Sequence, residues 1–99
     1  MITIHIQYSI TVNTAEVLKE NQKDLQDLTR LRMKEGIAQF FFIKKDGSTR
    51  RAFGTLNGDL IPADAGGGGN NTNEDVQRYY DIEARDWRTY TIENLIALV

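Results

Sequence analysis

One stretch of twenty residues, Ile37–Leu56 (IAQFFFIKKDGSTRRAFGTL), constrains the fold of this chain more than any other. It reads as a single β-hairpin. Ile37 to Lys45 is rich in β-branched and aromatic residues, the types that pack well on a pleated surface. Asp46-Gly47 is a turn signal, because glycine accepts the positive φ that a tight hairpin needs. Ser48 to Gly54 then returns as the second strand. Ile37, Phe41 and Ile43 fall on one face of the first strand, and Ala38, Phe40 and Phe42 on the other. A strand apolar on both faces is expected at the centre of a sheet with cover on each side. Around the turn stand Lys44, Lys45, Arg50 and Arg51 against Asp46 alone, a local charge of +3 from four cations and one anion.

The rest of the chain gives that hairpin its setting. A length of 99 residues suits one domain with a modest core, too small for a large catalytic cleft. A net charge of −2 means that any nucleic-acid binding has to come from a local patch. Without cysteine, disulfides and thiolate metal sites are excluded. The opening MITIHIQYSI alternates and is a poor secretory signal, and no stretch approaches a membrane span. A cytoplasmic location is the expectation.

Ile2, Ile4, Ile6, Tyr8, Ile10 and Val12 alternate with Thr3, His5, Gln7, Ser9 and Thr11. This period predicts a half-buried strand over 2–12, either an edge strand of the domain or a dimer contact. Asn13 or Thr14 caps a helix over 14–35, with Val17, Leu18, Leu25, Leu28 and Leu31 or Met33 as a partial apolar stripe. The stripe lapses over Lys19–Asp24, which allows one long helix or two broken near Asn21-Gln22. Gly36 is the expected stop. After the hairpin, Leu56, Leu60 and Ile61 are expected to pack. Residues 63–75 (ADAGGGGNNTNED) form a flexible loop or a lid, and carry no phosphate-loop pattern. Val76–Glu83 and Trp87–Ile92 read as a second hairpin, Glu93-Asn94 as a break and Leu95–Val99 as a last strand. The two hairpins are expected to share one interior, Phe41 and Ile92 included.

The helix running through LRMKEGIAQFFFIKKDGSTRRAFGTL and the later YYDIEARDWRTYTIENLIAL resemble the WYL domain superfamily. They are closer to its small stand-alone branch, an Sm-like SH3 β-barrel found in bacteria and their mobile elements. The resemblance covers roughly Leu28 to Leu98. Its most specific parts are the Asp-Gly turn followed by Arg50 and the closing run from Trp87 to Leu95. There Arg88, Thr89, Tyr90, Ile92 and Leu95 fit the pattern of the larger relatives. Thr91 and Asn94 stand where those relatives carry arginines, and the Trp-Tyr-Leu tripeptide is replaced near Tyr79-Tyr80-Asp81. The resemblance implies a regulatory or ligand-binding barrel, since full WYL domains usually sense nucleic-acid-like or nucleotide ligands beside a DNA-binding unit.

Together these readings predict one α+β domain, mainly β. An N-terminal strand (1–12) and helix (14–35) precede a small bent SH3/Sm-like barrel of about five strands (36–99). The predicted binding set is Lys44, Lys45, Arg50, Arg51, Arg78, Tyr80, Arg88 and Tyr90. Arginine offers phosphate a planar fork, and aromatic faces stack bases. The competing reading is of solvated cations and core aromatics, with Asp75, Asp81, Glu83 and Asp86 neutralising the patch. Arg50, Arg51, Arg78 and Arg88 gathered on one face would favour binding; dispersal would not. His5 stands alone, and no triad or metal cluster appears, so neither an enzyme nor a cofactor is expected. Expected partners are a single-stranded nucleic acid or nucleotide-like ligand, or else other proteins, including a homo-oligomer through the N-terminal strand.

Overall fold

A computed structural model describes residues 14–66 and 73–99, with side chains in the helix from residue 21 onward. The alternating segment 2–12 and the centre of the glycine tract lie outside the described residues. Helix α1 spans Thr14–Glu35 without a break, which decides for one helix over two. It contains no glycine or proline, and the Gly36 N–H closes its last turn on the Arg32 carbonyl at 3.0 Å. Five strands follow: β1 (Ile37–Ile43), β2 (Thr49–Thr55), β3 (Val76–Asp81), β4 (Asp86–Thr91) and β5 (Leu95–Leu98).

The strands form one antiparallel sheet in the order β4-β3-β2-β1-β5. Strands β4 and β5 stand at opposite ends of that order, yet only the 3-10 turn Ile92–Asn94 separates them in sequence. A flat sheet of five strands would hold its outer strands about 19 Å apart, at roughly 4.8 Å per spacing. Three residues of 3-10 helix cover about 6 Å. The sheet therefore has to curl, and the curl gives it an inner and an outer face. This is the SH3/Sm-like α+β arrangement expected from the sequence.

Both hairpins turn by local chemistry. Lys44–Gly47 forms the first turn, closed by the Gly47 N–H on the Lys44 carbonyl, with Gly47 at φ 88°. The Asp46 carboxylate accepts from both the Ser48 N–H and its hydroxyl, and these bonds hold its pKa below the usual carboxylate range. In the second turn Arg85 takes the left-handed conformation at φ 54°. It is held there by its N–H to the Asp81 carbonyl, while the Ala84 N–H reaches the Asp81 carboxylate.

The inner face carries the core. Ala38, Phe40, Phe42, Ala52, Tyr79, Tyr90 and Leu95 pack there with Met33 of α1, and Ile92 lies partly buried against them. Phe40 meets Tyr79 edge-on at 5.2 Å and Tyr90 at 5.2 Å, while Phe42 stacks on Tyr90 at 5.4 Å. A Cβ on Gly54 would come within 2.6 Å of the Tyr79 ring, so only a glycine lets β2 pass this cluster.

Three expectations need correction. Strand β1 is paired on both sides, but among the described residues only its inner face is covered. Ile37 and Ile43 are exposed, and Phe41 is half-buried on the outer face, so Phe40 and Phe42 build the shared interior in its place. Of the expected stripe, Leu25 and Met33 face the sheet, whereas Leu28 and Leu31 are exposed, because Gln22, Gln26 and Thr29 complete the docking row. That row is held by hydrogen bonds as well as by packing. Gln22 Nε2 donates to the carbonyls of Ile92 and Leu95, Gln26 Nε2 donates to Gln77 Oε1, and the Tyr90 hydroxyl donates to Gln26 Oε1 at 2.6 Å. Leu60 is exposed too, whereas Leu56 packs against the core.

Candidate anion-binding recess

Strand register decides which cations can meet. Phe42 pairs with Arg50 across β1 and β2, Gly54 with Asp81 across β2 and β3, and Tyr79 with Arg88 across β3 and β4. Paired residues share a face, so all of these lie on the inner face. Helix α1 covers the part of that face near Gln77, Tyr90 and Leu95. The part nearer the first turn stays open as a recess of about 410 Å³, lined by Phe42, Lys44, Lys45, Arg50, Tyr79 and Arg88, with Asp46 and Thr89 beside them.

The electrostatics there are uneven. Arg50 donates to Asp81 at 2.7 Å, and the Asp81 side chain is fully buried. This bond fixes Arg50 more firmly in its charged form. Among the described residues, Arg88 reaches only Asp86, at 3.2 Å, and Lys44 only Asp46, at 3.8 Å, both in exposed pairs. Such pairs contribute little and yield easily to a better anion. The Tyr79 hydroxyl and Arg50 Nε are buried at the floor, side by side, and neither has a well-formed hydrogen bond among the described residues.

Of the eight predicted binding residues, the structure brings Lys44, Lys45, Arg50 and Arg88 together here. It does not bring the other four. Arg51 lies on the outer face over the Phe53 ring at 5.2 Å, and Arg78 on the outer face over Trp87 at 4.9 Å. Tyr80 is buried with its ring edge-on to Trp87, and Tyr90 belongs to the core. The four arginines are thus split two and two between opposite faces, so the gathering on one face that would have favoured binding is not found. Phe42, Tyr79 and Asp81 take part in the recess although the predicted set omits them. Phe42 was accessible from the sequence, since it lies two residues before Lys44 on the same strand face.

Burial drives both core tyrosines upward. The Tyr79 phenol is pushed up to about 12, by desolvation first and then by Asp81, and the Tyr90 phenol is also raised by desolvation. Below pH 10 both folded and unfolded chains keep these protons. Above it the unfolded chain ionises first, so stability falls as pH rises from 10 towards 12. The urea midpoint is therefore expected to drop between pH 9 and pH 11, with part of the tyrosinate absorbance appearing only on unfolding. Four tyrosines titrating together near pH 10 in the folded protein, with an unchanged midpoint, would refute this.

A small curled β-sheet with an open basic recess and an aromatic floor defines a class, the SH3-like barrels, which in general are binding folds. The family model described as WYL_2, Sm-like SH3 beta-barrel fold, matches residues 25–96. The chain belongs to that family. No curated protein and no solved structure shows a significant match. Among the described residues, no group of three or more His, Cys, Asp or Glu is placed to hold a metal ion. No helix among them is long and apolar enough to cross a membrane.

Proposed function

We propose that this protein is a non-catalytic, regulatory binding module whose recess takes phosphate from a nucleotide-like ligand or a short single strand of nucleic acid. The observation that carries this reading is the placing of Lys44, Lys45, Arg50 and Arg88 around Phe42 and Tyr79, on the part of the inner face that the helix leaves open. The nucleotide character of the ligand is what the family resemblance adds. Arg51 and Arg78 point to the other face, so the grip is local, on one or two phosphates, and not a track along a strand.

The test is binding of a short fluorescent single strand across a salt series. Each phosphate neutralised contributes a slope of about −0.7 in log K against log salt, so a slope of about −1 is expected. Arg88→Glu should weaken binding at least about tenfold at low salt, by roughly the 1.4 kcal/mol of a single charge-assisted contact. Arg51→Glu, on the outer face, should leave it within about twofold. Equal losses for the two variants, or no binding at low salt, would overturn the proposal. The second outcome would favour a protein-interaction or assembly module, a reading supported by Ile37, Phe41 and Ile43 along the outer face of β1.

A further inference from the structure

We infer that the recess selects a phosphate monoester, the end of a strand or a mononucleotide, and that the Tyr79 hydroxyl is a ligand donor at its floor. This rests on the binding reading above and names the phosphate that the same site takes.

The rim supplies loosely held charge. Lys45 makes no ion pair among the described residues, and Lys44 and Arg88 make only exposed ones, at 3.8 and 3.2 Å. Arg50 differs, since its guanidinium is committed to the buried Asp81. Lys44, Lys45 and Arg88 are therefore available to a guest without breaking a buried pair. A monoester brings about −1.5 to −2 charge at pH 7 and three terminal oxygens. A diester within a chain brings a single charge and two free oxygens, and both of its ester arms have to be led out past the rim.

The floor offers no stacking face. Phe42 is 5% exposed, with its ring stacked on Tyr90. Tyr79 is fully buried, with Phe40 edge-on against it and Tyr90 beside it. A base laid in the recess gains none of the ring contact that holds bases on single-strand binders, so the phosphate is the part recognised.

The hydroxyl completes the site. It lies beside Arg50 Nε without a well-formed hydrogen bond among the described residues. A guanidinium only donates, so the phenol can turn only a lone pair to it, and the phenol proton is left without an acceptor. Burial keeps that proton in place far above neutral pH. Arg88 stands directly opposite Tyr79 in the β3–β4 register and is half exposed. An anion that draws Arg88 off Asp86 brings one oxygen to the Tyr79 proton and keeps the other two for Arg88 and the lysines.

The test is competition at low salt against a labelled, 5′-phosphorylated strand. The competitors are short unlabelled strands of one sequence, ending in a 5′-phosphate, a 3′-phosphate or hydroxyls only, and a nucleoside monophosphate. A phosphorylated end should bind at least about tenfold more tightly than hydroxyl ends, the size of one charge-assisted contact. Tyr79→Phe should remove at least about threefold of that gain while the urea midpoint holds, since the hydroxyl has no well-formed bond to lose. Arg51→Glu, on the outer face, should keep the whole gain. Competition by the mononucleotide as strong as by a phosphorylated strand identifies a free nucleotide as the guest, and competition by the strand alone identifies a strand end; either supports the inference. Equal binding of all three strands would overturn it and leave the binding module standing, whereas binding of none would overturn both. The full gain surviving Tyr79→Phe would also overturn it.

Discussion

Phe40→Ala is expected to lower stability by about 3–5 kcal/mol, the usual cost of emptying a buried aromatic site. Phe40 is fully buried, and its ring touches the rings of Phe42, Tyr79 and Tyr90. These come from three strands, so no single neighbour can relax into the space. A domain of this size holds about 5–15 kcal/mol in all. At about 4–8 °C per kcal/mol, the loss corresponds to a melting temperature at least roughly 12 °C lower. Phe41→Ala is the control. Its ring lies half-buried on the outer face, so the change should cost about 1 kcal/mol, the size of a typical single substitution. Equal losses at the two positions would show that β1 is covered on both faces after all.

Arg50→Met should also destabilise the fold strongly, by about 2–3 kcal/mol. Asp81 is fully buried, and Arg50 is the cation bonded to it. Removing one partner of a buried pair leaves an uncompensated charge and costs about 3–5 kcal/mol. The lower figure applies because Arg50 keeps 35% of its side chain in water, which screens the pair. Adding Asp81→Leu should recover only part of the loss, since that carboxylate also holds the Ala84 N–H in the second turn. Urea denaturation of the two single variants and the double variant measures the coupling. A single-variant loss under about 0.5 kcal/mol would mean the pair carries no weight. The same pair is why Arg88, and not Arg50, is the cleaner probe of binding.

Much of the fold could be read from the residues because it rests on local signals. β-branched and aromatic composition marked the strands of the first hairpin, alternation marked Trp87–Ile92, and Asp46-Gly47 and Glu93-Asn94 marked a turn and a break. What stayed hidden depended on pairing between distant residues. Sequence spacing places Arg50 and Arg51 equally near the turn. Only the Phe42–Arg50 register sends one inward and the other outward. Tyr80 and Tyr90 have the composition of stacking residues, and only burial shows that they are structural. The helix misled for a different reason. Apolar periodicity found Leu25 and Met33, but its Leu28 and Leu31 are exposed, because the docking row is completed by glutamines with specific partners across the sheet.

That glutamine row has a consequence for the recess. A helix seated only on grease can slide by a turn at little cost, but sliding α1 would strand the amides of Gln22 and Gln26 and the Tyr90 phenol without partners. The glutamines act as a doorstop. They set how far the helix advances across the inner face, and so how wide the gap beyond it stands open.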